Sequence, residues 1–408
     1  MKHTSHTLWT AWLCWGVGML VDAGGRRGWQ SWFARLTKPQ PAWAIILIAS
    51  GWMALAGNTP LWQRLIELDL LRGAPGKALA IGLAIMLASA LVAVMSLLAW
   101  RAALKPVITL LLLITALAAH FASAYGVLMS PGMMTNVLQT DTHEALDLFS
   151  WPLAWRVTWF AALPSLWLAR VRIVHPTWRR QLWLQPLWAA GGVAVLLISA
   201  RVIFQPLASA MRNHKDIRYL LNPLAALYST GVALARDGAE TRKPLQPIAD
   251  DVEIVPGARP KLLMLVVGEA ARSANFSLNG YERPTNQALE SVDVISLTNA
   301  WSCGTSTAES LPCMFSHLAR NQHIKNKARH ENLLDVLHKA GLAVLWLENQ
   351  SGCKGVCDRV PTMRTCVERA ACLDTEMLRN LDARIATLDP ARVKNGVVLV
   401  LHQMGSHG

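Results

Sequence analysis

The chain has 408 residues, of which 53% are hydrophobic and only 16% charged, with a net charge of +13. It is long enough for two domains and too apolar for an ordinary soluble globule. Many of the cations sit in short loops beside apolar runs, where they set membrane orientation, so the basic balance does not argue for a nucleic-acid partner.

Residues 1–40 read as an N-terminal extension. They carry Cys14 and a short apolar run over 8–21 followed by Gly-Gly-Arg-Arg, shorter than a span. Five apolar runs follow, near 41–60, 77–99, 105–126, 151–169 and 184–204. Each approaches the roughly 20 residues a membrane helix needs, which predicts a helical transmembrane domain over 41–204. Sixteen of the 18 tryptophans lie between Trp9 and Trp188. Core packing would not skew them so; membrane interfaces, which suit an apolar ring with one N–H, would.

Arg101 and Lys105, and then Arg170, Arg172, Arg179 and Arg180, mark two loops as cytoplasmic. The loop over 126–150 has no Lys or Arg and carries Asp141, Glu144 and Asp147, so it faces outward. Five spans from an inside N terminus then place everything after 205 outside. Residues 205–260 read as an interfacial helix, with Leu220, Leu221, Leu224 and Leu227 on one stripe, and a polar linker with four prolines between 244 and 260.

From Lys261 the pattern changes. Leu262–Val267, Ala343–Leu347 and Val397–Leu401 are continuous apolar runs of the kind that form buried parallel strands, with helical stretches near 307–320, 331–340 and 374–388 between them. This predicts a layered α/β domain over 261–408 whose site lies beyond the strand ends, where Glu269, Asn349 and His402 fall. Six of the seven cysteines, Cys303, Cys313, Cys353, Cys357, Cys366 and Cys372, also lie here. An even cluster outside the cytoplasm reads as disulfides; the rival reading is a zinc site, because Cys353 and Cys357 have ligand-like spacing.

Thr305 and Thr307 stand where a loop turns into a helix, a place that suits phosphate. A threonine hydroxyl is a weak nucleophile until a cation or base activates it; Glu269 is the first oxygen ligand, and His402 and His407 are available nitrogen donors. Singly, these residues read as a helix cap, a solvated carboxylate and structural histidines. Together, in strand-end order, they read as a site for metal-assisted group transfer.

Val267-Gly268-Glu269-Ala270-Ala271-Arg272-Ser273-Ala274-Asn275-Phe276-Ser277-Leu278-Asn279-Gly280-Tyr281 resembles the first catalytic motif of the phosphoethanolamine–lipid A transferases, members of the alkaline phosphatase and sulfatase superfamily. The 302–316 stretch resembles their nucleophile motif, and Gly352-Cys353-Lys354-Gly355-Val356-Cys357-Asp358-Arg359 a further signature. Arg212-Asn213-His214-Lys215 and Arg218–Pro223 extend the resemblance, which runs from about residue 41 to the end.

The resemblance implies a multi-pass protein of the bacterial inner membrane with a periplasmic catalytic domain, acting as a monomer. It implies transfer of phosphoethanolamine from phosphatidylethanolamine to lipid A of lipopolysaccharide, through a phospho-threonine at Thr307, conferring resistance to cationic peptides such as polymyxin. Zn2+ would be held by Glu269 and Thr307. His407 would bind phosphate or a second metal. Asn136, Thr140, Glu144, Ser351 and Lys354 would bind substrate. The implied disulfides are Cys303–Cys313, Cys353–Cys357 and Cys366–Cys372, with Cys14 free.

Members of the family continue past the point that matches Gly408, with an Asp-His pair and another histidine that complete the metal site. The expectation is therefore that these 408 residues alone are inactive. The alternatives are a membrane-bound remnant that retains lipid binding through the 136–144 loop, and a phosphoglycerol transferase or sulfatase of the same superfamily. Sulfatases need a Cys-x-Pro-x-Arg nucleophile site, which this sequence lacks.

Overall fold

The computed structural model describes residues 39–98, 100–140, 145, 148–240, 243–254, 261–326, 328–350, 352–365 and 372–405. The chain divides into two units. One comprises Met1–Met129 and Trp151–Leu227, the other Ser130–Ser150 and Tyr228–Gly408.

The first unit is helical. Helices α1 (Ala42–Leu55) and α2 (Thr59–Glu67) follow each other closely, then α3 (Gly73–Leu98) and α4 (Leu104–Tyr125). The chain next supplies α5 (Pro131–Gln139) to the other unit. On its return it forms α6 (Trp151–Val157), a π-helical turn (Thr158–Ala162) and α7 (Leu163–Arg170), then α8 (Trp178–Val202), α9 (Phe204–Asn213) and the start of α10 (Leu224–Glu240).

Among the described residues four helices are long and apolar enough to cross a membrane: Ala42–Glu67, Gly73–Leu98, Arg101–Tyr125 and Trp178–Val202. The fifth expected span, 151–169, is helical but differs from the other four. It is wound through the π turn and carries Arg156 in its first part.

Their apolar character is not confined to one face. In α1, Ile45, Ile46, Ala49 and Met53 are buried, while Trp43, Ile48, Trp52 and Leu55 remain exposed. A helix apolar all round, with one face packed on its neighbours, needs hydrocarbon against the other. The packed faces meet in a core built on Met53, Leu83, Leu91, Ile108 and Leu112. Where α8 crosses α3, Gly192 allows close approach: a Cβ there would stand 2.9 Å from the Ser89 carbonyl and 3.0 Å from the Ala93 nitrogen. Small residues at such crossings let membrane helices pack through their backbones. Lys105 donates to the carbonyls of Ala169 and Val171 at 2.8 and 2.9 Å, which satisfies orphan acceptors at the end of α7.

The second unit is built on a four-stranded parallel sheet: β1 (Leu262–Val267), β2 (Ala343–Glu348), β3 (Thr362–Arg364) and β4 (Val397–His402), in the order β1-β4-β2-β3. Every residue of β2 and β4 is buried. Alternate side chains serve opposite faces, as strand geometry requires. Val344, Trp346, Val398 and Val400 join Leu311, Phe315 and Leu334 on one face, while Leu345, Leu347, Leu399 and Leu401 join Met377 and Leu388 on the other. Each such fully buried side chain contributes about 1.5–3 kcal/mol over its exposed state. Strand β1 is an edge strand, and Leu262, Leu263, Met264 and Val266 are exposed.

Helix α11 (Thr307–Met314) is shorter than the expected 307–320: it ends at Phe315, and a separate short helix takes up Arg320–Lys325. Helix α12 (Leu333–Lys339) starts with a capping box: Asn332 Oδ1 accepts from the Leu334 and Asp335 amides, and Asp335 accepts from the Asn332 amide at 2.7 Å. Both branches of the Arg359 guanidinium close on the same carboxylate at 2.8 and 2.6 Å. The expected helix over 374–388 is a 3-10 turn, Asp374–Leu378, and a short helix, Leu381–Ile385; Asn380, at φ 54°, breaks them apart.

Candidate active site

Three loops leave the carboxyl ends of β1, β4 and β2, and hydrogen bonds tie them together. After β1 the chain reaches Glu269. After β4 it passes Gln403, whose amide donates to the Val267 carbonyl at 3.0 Å, and Gly405, at φ 57°. A Cβ on Gly405 would lie 2.7 Å from the Glu269 carbonyl, so only glycine admits this approach. The Asp374 carboxylate accepts from the amides of Met404 and Gly405 at 2.8 and 2.9 Å and from Asn349, at the end of β2, at 2.8 Å. Sequence reasoning singled out Glu269 and Asn349. It missed Asp374, which has no motif or strand end to mark it.

Thr307 opens α11, with Ser306 as its N-cap, and its Oγ1 donates to Glu269 Oε2 at 3.1 Å. The two residues expected to share a metal are thus in contact, and it is Thr307 rather than the exposed Thr305 that makes the contact. The loop before α11 is fixed by the Cys303–Cys313 disulfide and by Arg320, which donates to the Cys303 carbonyl at 2.9 Å. Gly304 lies hard against the Glu309 side chain.

Helix α5 packs beside the first turn of α11. A Cβ on Gly132 would stand 3.0 Å from Glu309 Oε1. At its other end Thr140 donates to the Asn136 carbonyl at 2.8 Å, and Lys354 Nζ donates to the Gln139 carbonyl at 3.4 Å. Lys354 thus meets the end of α5 that carries Asn136 and Thr140. Lys354 sits in the loop closed by Cys353–Cys357, the second expected disulfide. Cys372 is also disulfide-bonded. Beneath α5 and α11 lies a cavity of about 570 Å3, lined among others by Thr135, Gln139, Ala308, Arg329, Lys354 and Arg359. Glu144, Ser351, His407, Cys366 and Cys14 lie outside the described residues.

His402 stands apart from its expected role. It is 1% exposed within β4, and its Nδ1 lies 2.9 and 3.2 Å from the two oxygens of Glu348, itself 3% exposed. Burial pushes the Glu348 carboxyl up, but hydrogen bonds from His402, the Trp346 indole and the Gln350 amide outweigh it and hold the group below the usual carboxylate range.

Glu269 and Thr307 offer two oxygen donors to one point, which fits two corners of a divalent cation's shell. Among the described residues no group of three or more His, Cys, Asp or Glu side chains is placed to complete one.

A hydroxyl at a helix N terminus, facing a strand-end carboxylate on a parallel sheet, is an arrangement suited to group transfer, and the matching families give its class. The sulfatase family matches residues 261–408, and the family described as phosphoethanolamine transferase EptA/EptB matches residues 87–237. Phosphatidylethanolamine transferase Mcr-1 of Escherichia coli is 32% identical over 400 residues, covering 92% of this chain and 72% of that protein. Phosphoethanolamine transferase EptA of Escherichia coli K12 is 32% identical over 318 residues, 74% of this chain and 57% of EptA. The solved integral membrane lipooligosaccharide phosphoethanolamine transferase A from Neisseria meningitidis superposes with a TM-score of 0.77 at 30% identity, over 90% of this chain and 69% of that one. The chain belongs to the phosphoethanolamine transferase family. It is an inner-membrane protein whose soluble unit is periplasmic.

Proposed function

We propose that the protein moves phosphoethanolamine from phosphatidylethanolamine to a phosphate of lipid A, with Thr307 as the nucleophile. The observation that carries this reading is the 3.1 Å hydrogen bond from Thr307 Oγ1 to Glu269 at the mouth of the sheet. Oγ1 attacks the donor phosphorus, the bond to the glycerol oxygen breaks, and diacylglycerol leaves with the proton. An oxygen of the acceptor phosphate then attacks the same phosphorus, the bond to Thr307 Oγ1 breaks, and Oγ1 takes up the proton the acceptor phosphate loses. Glu269 orients Oγ1 and favours loss of its proton. The free N–H groups of the first turn of α11 face the charge that develops on the phosphoryl oxygens.

A zinc ion held by Glu269 and Thr307 would supply positive charge that lowers the hydroxyl pKa. Lys354 and Arg329, on the cavity beside α11, suit the phosphate oxygens of the substrates. Adding an amine to lipid A lowers the negative charge of the cell surface, so polymyxin and other cationic peptides would bind less.

The test is mass spectrometry of lipid A from cells carrying the full-length gene, with the metal-site residues its family has beyond the stretch matching Gly408, either unaltered or with Thr307→Ala. The reading expects a phosphoethanolamine adduct from the unaltered gene and none from the variant. An adduct that persists in the variant refutes it.

A further inference from the structure

The membrane unit holds a second cavity, of about 560 Å3, between α1, α4, α6 and the π turn. Its walls are mostly aromatic: Trp52, Trp155, Trp159 and Phe160. Trp52 and Phe160 pack with centroids 6.0 Å apart, and Trp155 meets Trp159 edge-on at 5.5 Å. Three polar side chains interrupt this lining, His120, Ser123 and Arg156.

His120 is 4% exposed, and its Nε2 is buried with no hydrogen-bond partner among the described residues. Arg156 uses only Nη1: it donates to the Ala119 carbonyl at 2.8 Å, to Ser123 Oγ at 3.2 Å and to Thr59 Oγ1 at 3.4 Å. All three acceptors are neutral. Among the described residues no carboxylate pairs with the guanidinium, and its Nε and Nη2 donate to nothing. A cation within apolar helices, unpaired and with half its fork unused, calls for an anion. The Nε–Nη2 edge matches two oxygens of one phosphate. The cavity lies near the ends of α4 and α6 that adjoin the acidic outward loop, which is the level of the outer-leaflet headgroups.

We propose that this cavity binds the phosphodiester headgroup of a glycerophospholipid. The two non-ester phosphate oxygens sit on the Nε–Nη2 edge of Arg156, the Nε2–H of His120 donates to one of the same two, and the glycerol and upper acyl chain lie along Trp52, Trp155 and Phe160. The site uses neither Thr307 nor the cavity beside α11.

The full chain, purified in detergent, is titrated by native mass spectrometry with dioleoyl phosphatidylglycerol and with dioleoylglycerol. Neither lipid carries ethanolamine, so the readout does not depend on the transfer reaction. The phosphodiester should bind at least about tenfold more tightly, as expected for a charged hydrogen-bonded pair. Arg156→Gln should remove most of that preference, and His120→Phe part of it. Equal binding of the two lipids to the unaltered protein overturns the proposal, as does a preference that survives in Arg156→Gln. Phosphatidylglycerol with a diazirine in its upper acyl chain gives a readout without any variant. Its cross-links should map to peptides of α4 and α6; cross-links found only elsewhere overturn the proposal too.

Discussion

Glu348 and His402 are register partners on the two central strands of the sheet, and their side chains meet at 2.9 Å with almost no access to water. The pair ties β2 to β4 where the strands deliver their loops to Thr307 and Glu269. Removing one partner leaves the other buried and unsatisfied. Glu348→Ala should therefore destabilise the soluble unit by about 3–5 kcal/mol. Hydrogen exchange of the β2 and β4 peptides reads this directly, and unchanged protection would show that the pair contributes nothing.

The same pair sets an acid limit. The folded Glu348 carboxyl ionises at a lower pH than it would in the unfolded chain. Its contribution is therefore complete above the ordinary glutamate value of about 4.3 and is lost as pH falls below that, through the folded pKa. Melting temperature followed from pH 6 downward should fall less steeply in Glu348→Gln than in the unaltered protein. Parallel curves would remove Glu348 from the account of acid sensitivity.

At the nucleophile, Thr307→Ala should lower transfer by about a thousandfold or more, because Thr307 Oγ1 is the hydroxyl that the fold sets on Glu269, whereas Ser306 and Ser310 make no such contact among the described residues. Thr307→Ser keeps the hydroxyl and should retain measurable transfer. Lipid A adduct yield separates the two, and equal yields from both variants would displace Thr307 as nucleophile.

The Cys303–Cys313 bridge closes a loop of sequence separation 10 directly before and along α11. Chain entropy alone puts the loss from Cys303→Ser with Cys313→Ser at about 3 kcal/mol. The reduced loop should become the first part of the soluble unit cut by protease. A cleavage pattern identical to that of the oxidised protein would show that Arg320 holds the loop alone.

Gly405→Ala tests the contact between the β4 and β1 loops. A methyl group there meets the Glu269 backbone in a left-handed conformation that alanine disfavours, at a cost of about 1 kcal/mol or more. Glu269 must shift to make room, so transfer should fall while exchange protection of β4 is kept. Unchanged transfer would mean that the position of Glu269 is not set from this side.

The strands were legible because Val- and Leu-rich runs buried on both faces admit few other readings, and Glu269 and Thr307 were legible from their motifs. The order of the sheet was not. β4 inserts between β1 and β2, a choice made by three-dimensional packing that leaves no mark on any one strand. For the same reason Glu348 passed unnoticed: a carboxylate at the end of an apolar run looks solvated until the register sets His402 beside it. Asp374 was hidden because its partners are backbone amides, which every sequence has. The run at 151–169 reads as a plain span by length, whereas the π turn and the Arg156 contacts become visible only in the fold.

Helix α5 lies between two spans in sequence and yet belongs to the soluble unit. The two halves of the protein are therefore not separate cassettes. A hybrid gene that joins the first 260 residues of one relative to the remainder of another would set a foreign α5 against α11, where any side chain at position 132 makes the Glu309 carboxylate shift. A chimera that takes 131–139 and 304–312 from the same parent keeps this contact, whereas one that separates them has to rebuild it.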